Sequence, residues 1–399
     1  MAGANEFEPR AFRRRRNLVL GRASELIGPI LRLGARARSR GSPSDPQRWR
    51  NGLILSHNHI GDVLYRTCSL SQLREALPDC RWTFLTTPES AEILEGNPSI
   101  ESVVTQCTGE NSWDLAPGGF ADLRNRRFDV VLCTNTLRHY PDLFLATALG
   151  IPNRVGFAYK GLSGLLTLPV PISYPSSFPA YFRSMVAHVA NLEPDWDLRP
   201  RLFPTPSDRE SAARAWNESG FDDSRPVVAC AITTRQLGAN WPPSLPLAIL
   251  TKAREHIDFD VVLTGTARDE SDLRILANQV EFECRILPGT LGLRAFAAFL
   301  EKCDAVLTLD SGNRHIANAV GTPVFFLRNP SVSRVESGAY CSTETDLAPP
   351  AEYQAAAQVQ RATVTFAVNG AATLLAEALR RAEGASAKSV PAHEAGDSS

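Results

Sequence analysis

Two Rossmann-like, doubly wound α/β domains are the fold this sequence predicts, on three observations. Short apolar runs rich in β-branched residues alternate with segments of helical periodicity, the pattern of a parallel sheet covered on both faces. The alternation runs twice, from about Gly52 to Pro204 and from about Ser207 to Asn329. Between the stretches Pro200, Pro204 and Pro206 cluster as in a linker. A chain of 399 residues with 43% hydrophobic content can give each domain its own core.

In the first stretch Leu53–Ser56, Trp82–Thr86 and Phe128–Thr134 read as strands. Gly61–Leu77, Pro88–Leu94 and Asp142–Leu149 read as helices. The second stretch is cleaner. Its strands are Val227–Ile232, Phe259–Gly265, Ala305–Asp310 and Pro323–Asn329. Its helices are Asp208–Ser219, Ser244–His256, Asp269–Val280, Leu291–Cys303 and Gly312–Val320. A further helix is expected over Ala367–Ala382, and the tail from Glu383, rich in Ala, Ser and Gly, is expected to be disordered. The predicted organisation is therefore an arm at 1–48, a domain at 49–204, a second at 205–345, a helical segment at 346–383 and a tail at 384–399.

The net charge of −1 averages unlike regions: Met1–Arg50 carries twelve Arg and four acidic residues, so the rest is mildly acidic. A nucleic-acid protein would carry its basic surface on the folded body, so nucleic acid is not an expected partner. In the arm, Phe12, Leu18, Leu20, Leu26, Ile27, Ile30, Leu31 and Leu33 are interspersed with Arg. That composition suits a basic amphipathic helix on anionic lipid, whereas Gly28-Pro29 argues for a solvated arm. No apolar stretch approaches the ~18 residues of a membrane-crossing helix, and no secretory signal is apparent. The eight cysteines form no C-x-x-C pair and several lie in apolar runs, which predicts free core thiols and a reducing, cytoplasmic setting.

In such domains ligands bind at the carboxyl ends of strands, and four segments occupy such positions. After the first strand come His57, Asn58, His59, Ile60, Gly61 and Asp62. Asp62 at a helix start either caps it or takes a proton from a sugar hydroxyl. Gly61 permits a tight turn, and His59 suits substrate contact or the surface more than a metal. After Ala305–Asp310 come Ser311, Gly312, Asn313, Arg314 and His315. Helix-start N–H groups, a glycine, a hydroxyl and basic side chains suit a diphosphate. Thr234 and Arg235 end the first strand of the second domain, ahead of Trp241-Pro242. At Thr264–Glu270, Asp269 or Glu270 either binds ribose hydroxyls or caps a helix.

Taken in order, these segments resemble the ADP-heptose–lipopolysaccharide heptosyltransferase family, glycosyltransferase family 9. The resemblance runs from about Gly52 to Asn329. It is carried by Ile60-Gly61-Asp62, Gly96-Asn97-Pro98, the turn-like Asn153–Phe157, Trp241-Pro242, Asp310-Ser311-Gly312 with His315, and Gly321-Thr322-Pro323. It implies a GT-B fold, with two Rossmann-like domains facing across a cleft, and inverting transfer from a nucleotide-diphosphate sugar (ADP-sugar or another) to a lipopolysaccharide-core-like glycan. It also implies that Asp62 is the general base, that Ser311, Gly312 and Asn313 lie on the diphosphate, and that Glu270 or Asp269, with Asp310, lies near the nucleoside. No metal or other cofactor is implied. The chain departs from the family pattern at Asn58 and His59 before Ile-Gly-Asp, at Asn313 after Asp-Ser-Gly, and at Ala239-Asn240, where a Lys usually precedes Trp-Pro. Arg235 or Arg314 is the expected substitute for that Lys.

Two alternatives fit the same architecture: a nucleotide-sugar epimerase, and a non-catalytic nucleotide-sugar-binding protein. A nicotinamide dehydrogenase is disfavoured, because no G-x-G-x-x-G follows a strand. The expected location is cytoplasmic, peripheral on the inner membrane if the arm engages lipid.

Overall fold

The computed structural model describes residues 45–56, 59–108, 112–135, 139–158, 162–172, 177–193, 199–221, 224–231, 244–328, 337–347 and 359–388, with Ala23, Leu26, Ile27 and Ile30 of the arm. The chain forms two compact units: Met1–Thr205 with Val332–Ser342, and Pro206–Ser331 with Thr343–Ser399. The expected second domain, 205–345, thus differs from unit 2 in two places. Residues 332–342 belong to unit 1, where Tyr340 packs on Cys68 and Ala180. The C-terminal helix belongs to unit 2, because its apolar stripe completes that unit's core.

Unit 1 runs β1 (Asn51–Leu55), α1 (Ile60–Arg66), α2 (Leu70–Ala76), β2 (Arg81–Leu85), α3 (Pro88–Leu94), β3 (Ser102–Val104), α4 (Gly119–Asn125), β4 (Val130–Cys133), α5 (His139–Ala148), β5 (Asn153–Phe157), β6 (Leu168–Val170) and α6 (Phe178–Ala190). Its sheet has the order β3-β2-β1-β4-β5-β6, with every pairing parallel. Strand alternation divides the core: Ile54 faces Val63, Phe182 and Met185, whereas Leu53 and Leu55 face Leu143 and Ala146. Gly52 has to be glycine, because a Cβ there would lie 2.3 Å from ring carbons of Trp82, its partner on β2.

Unit 2 runs α7 (Pro206–Glu218), β7 (Val227–Ala231), α8 (Leu245–Arg254), β8 (Asp260–Gly265), α9 (Glu270–Ala277), β9 (Cys284–Pro288), α10 (Leu293–Lys302), β10 (Ala305–Leu309), α11 (Gly312–Val320), β11 (Val324–Leu327), β12 (Glu344–Asp346) and α12 (Val359–Lys388). Its all-parallel sheet, β12-β11-β10-β7-β8-β9, repeats the topology of unit 1. In both sheets the first strand winds outward to two neighbours and the chain then crosses back to the other side. The winding reverses between β1 and β4, and between β7 and β10, the switch points where such sheets bind ligands.

Two expectations need correction, and several elements were not anticipated. Asn153–Phe157 is not a turn but β5, buried along its length. α6 was not anticipated: ten of its thirteen residues are buried, so it shows only a narrow polar face and a weak helical period. The short strands β3, β6, β9 and β12 were also missed. α12 is longer than Ala367–Ala382 and reaches Lys388, so the first residues of the expected disordered tail are helical. All eight cysteines are free thiols, six of them buried, and burial pushes Cys80 and Cys107 up to about 12.

Candidate functional site

In unit 1 the candidate residues lie at the β1/β4 switch point. α1 leaves the carboxyl end of β1 with the exposed His59 at its N-cap position, and His59 makes no side-chain cap bond. Asp62 is therefore not the N-cap. It sits in the first turn, half-buried, after Gly61. Tyr65 lies one turn on, on the same helical face as Asp62. Burial, opposed by Arg66 and reinforced by Asp62, pushes the phenol far above its ordinary range, so it stays protonated and remains a donor.

Arg66, 1% exposed, binds the same segment from beneath. Nη1 donates to Ser56 Oγ at 2.7 Å and to the Asp62 main-chain carbonyl, and Nη2 donates to Asn135 Oδ1 at 3.0 Å. Asn135 in turn donates to Asp142 Oδ2 at 2.8 Å, in the first turn of α5. A buried guanidinium needs such partners, because desolvating the charge alone is costly. The network joins the ends of β1 and β4, so the switch point is fixed by side chains as well as by the ladder.

Reading the sequence by strand ends found Asp62 but missed Tyr65, Arg66, Asn135 and Asp142. Signals existed for two of them. Tyr65 lies three residues beyond Asp62, hence on the same helical face, and Asn135 is the second residue past the end of β4. His57 and Asn58 lie outside the described residues.

In unit 2 the candidate segment follows β10 at the other switch point. Ser311 has extended backbone at the N-cap of α11, and its side chain makes no cap bond, so it does not occupy the helix-start N–H groups. Its Oγ lies 3.4 Å from Thr308 Oγ1. Gly312 and Asn313, both partly exposed, form the first turn. At the far end Gly321 adopts the left-handed conformation, φ 87°, which closes the helix before Thr322-Pro323.

Arg314 and His315 do not have the occupation expected of them. Arg314 is 1% exposed and held by two carboxylates: Nε and Nη2 donate to Glu344 at 2.5 and 3.1 Å, and Nη1 to Asp310 at 2.8 Å. It also lies 3.7 Å above the Phe326 ring centroid. It is thus a buried cross-link from α11 to β12, not a charge presented to a diphosphate, and Asp310 belongs to the same cluster. Asn318 adds a donor to Glu344 at 2.6 Å, and Arg328 pairs with Asp346 on the same face of β12. Burial, then Arg314, push His315 down to about 3, against the pull of Asp310, so it is a neutral imidazole at physiological pH.

Asp269 is the third residue of a capping box headed by Thr266. It accepts from the Thr266 N–H at 2.7 Å and the Thr266 hydroxyl at 2.6 Å in a capping box, and Glu270 pairs with Arg274 on its own helix. Thr234, Arg235, Trp241 and Pro242 lie outside the described residues. Among the described residues no three of His, Cys, Asp and Glu gather where a metal ion could be held.

Two doubly wound parallel-sheet units, each with polar candidate residues at its switch point, are the architecture of the GT-B fold. The sequence model of glycosyltransferase family 9 (heptosyltransferase) matches residues 120–334. The chain belongs to that family and is a glycosyltransferase. It is 24% identical over 292 residues to lipopolysaccharide heptosyltransferase 2 of Escherichia coli K12, covering 70% of this chain and 82% of that relative. It is 23% identical over 299 residues to lipooligosaccharide heptosyltransferase 2 of Haemophilus influenzae, covering 70% and 84%. The fold resembles a family 9 glycosyl transferase from Veillonella parvula, with a TM-score of 0.65 and 17% identity over 74% of this chain and 85% of that one. It also resembles the ADP-heptose lipopolysaccharide heptosyltransferase II of Escherichia coli, with a TM-score of 0.61 and 19% identity over 84% and 99%.

Proposed function

We propose that this glycosyltransferase moves a heptose-like sugar, with inversion, from a nucleotide-diphosphate donor to a lipopolysaccharide-core or related glycan acceptor. ADP-heptose is the first donor to try, because the similar Escherichia coli enzyme is named for it. In this reading the Asp62 carboxylate takes the proton of an acceptor hydroxyl as its oxygen attacks the anomeric carbon. The bond from that carbon to the diphosphate breaks in the same displacement. The N–H groups at the start of α11, with the Ser311 hydroxyl, meet the charge that develops on the leaving group. No metal or other cofactor takes part, so turnover should survive EDTA.

The observation that carries the reading is the place of Asp62. It stands in the first turn of the helix leaving β1 at the switch point, and His59 rather than Asp62 takes the N-cap position. The family match begins at residue 120 and so includes α11 but not Asp62, which makes Asp62 the residue to test. Asp62→Asn should fold, bind ADP-heptose and lose two or more decades of turnover, the usual weight of a general base. Wild-type turnover in that variant would sink the role.

We also infer that the arm touches an anionic membrane surface. Ala23, Leu26, Ile27 and Ile30 are helical, at the spacing of one face, and the last three are 79%, 50% and 69% exposed amid the arm's arginines. Among the described residues no helix is long and apolar enough to cross a membrane.

A further inference from the structure

The helix that carries Asp62 has a weak start. α1 is seven residues long, and His59 at its N-cap position makes no side-chain cap bond. The first turn of so short a helix has few hydrogen bonds of its own and is prone to fray. Val63 anchors it on the apolar side, in the core cluster of Ile54 and Met185. The other restraint is Arg66, the last residue of the same helix.

Arg66 is 1% exposed, so its guanidinium acts on the protein rather than on a substrate. Nη1 donates to the main-chain carbonyl of Asp62 itself and to Ser56 Oγ, 2.7 Å away and just past the end of β1. Nη2 donates at 3.0 Å to Asn135 Oδ1, just past the end of β4. Asn135 then donates at 2.8 Å to Asp142 in the first turn of α5. One planar fork thus ties the backbone of Asp62 to both strands of the switch point and, through Asn135, to the helix that follows β4. An aspartate side chain is short, so the reach of its carboxylate is set by where its backbone stands.

We propose that Arg66 is a positioning residue for transfer. Through the Asp62 carbonyl, Ser56 and Asn135 it fixes the turn that presents the Asp62 carboxylate to the acceptor hydroxyl. The inference rests on the reading of Asp62 as the base.

The place suits arginine in particular. A guanidinium holds its donors in a fixed plane, and here each Nη meets a different segment. A lysine ammonium keeps the charge but is a single point that cannot span the same acceptors. Arg66→Lys therefore removes the geometry and spares the charge.

The direct test is turnover with ADP-heptose and a heptose-deficient lipopolysaccharide core, normalised to folded protein. Arg66→Lys should lower kcat about ten- to a hundredfold, the scale set by a misplacement of about 1 Å, and leave the donor KM unchanged. Ser56→Ala removes one acceptor and almost no volume, so it decides the matter if the lysine variant does not fold. It should lower kcat about three- to tenfold, the worth of one net hydrogen bond, with the same unchanged KM. In the Asp62→Asn background neither substitution should cost anything further, because Arg66 acts through the residue already removed. A merely structural arginine would lower the yield of folded protein and leave kcat per folded molecule alone. Wild-type kcat in Ser56→Ala or in folded Arg66→Lys overturns the proposal, as does an undiminished loss in the Asp62→Asn background. Full turnover in Asp62→Asn alone removes the base and the proposal with it, so the two failures are told apart.

Discussion

Arg314 and Glu344 form a bidentate ion pair with both side chains at or near zero exposure, and it ties the first turn of α11 to the edge strand β12. β12 is three polar residues, Glu-Thr-Asp, with no apolar side chain to hold it in the sheet. Its two carboxylates point to the same face and meet Arg314 and Arg328. The strand is therefore kept in place by charge, and the helix start at the candidate donor site is braced from behind.

Removing one partner of a buried pair leaves the other charge stranded, at a cost of about 3–5 kcal/mol. Glu344→Leu should lose stability on that scale in urea denaturation. Arg314→Met with Glu344→Leu should lose less than the sum of the two single changes, because they share the interaction. Arg314→Lys, which keeps the charge but not the fork, should lower stability and leave ADP-heptose affinity per folded molecule unchanged. A selective loss of donor affinity in Arg314→Lys would restore Arg314 to the diphosphate role that the sequence suggested.

His315 gives a pH dependence of definite sign. Its folded value, about 3, lies below the ordinary 6.5. Above 6.5 it is neutral whether folded or unfolded, and its contribution is complete. As pH falls from about 6.5 toward about 3 the unfolded chain takes up a proton that the folded chain refuses, so stability drains by up to about 1.4 kcal/mol per pH unit. His315→Gln should be less acid-sensitive: urea midpoints at pH 7, 5 and 4 should fall less steeply than in wild type. Parallel curves would show that His315 titrates normally in the fold.

The central strands and most helices were legible because parallel sheets print apolar runs into the sequence. α3 and α11 have the expected bounds, Pro88–Leu94 and Gly312–Val320. What stayed hidden was held by other forces or had no contrast. β12 carries no hydrophobic signal, and α6 is buried on most of its surface, with its polar residues Arg183, Ser184 and His188 too few to mark a solvent face. At the site, strand-end logic located Asp62 and the Asp310–Gly312 turn, since both follow a strand directly. It misjudged Arg314, because composition reports a charge but not its direction, and Glu344 thirty residues away could not be foreseen as its partner. Arg66 was illegible for the same reason: its partners Ser56 and Asn135 come from two other segments.

The arm tests differently, because its argument is one of surface chemistry. Leu26, Ile27 and Ile30 expose apolar area that water disfavours, and the neighbouring arginines are drawn to anionic headgroups. Removing Met1–Gly41 spares the short turn Pro46–Arg48, which Asp45 caps and which leads into the buried Trp49, so the body should keep its melting temperature. Retention on phosphatidylglycerol vesicles should drop, and that of the full chain should weaken as salt is raised, since the Debye length shortens from about 10 Å at 0.1 M. Leu26→Glu with Ile30→Glu should weaken retention without removing a single arginine, which separates insertion of the apolar face from simple charge attraction. If the truncated chain binds the vesicles as well as the full one, the membrane contact lies elsewhere or does not exist.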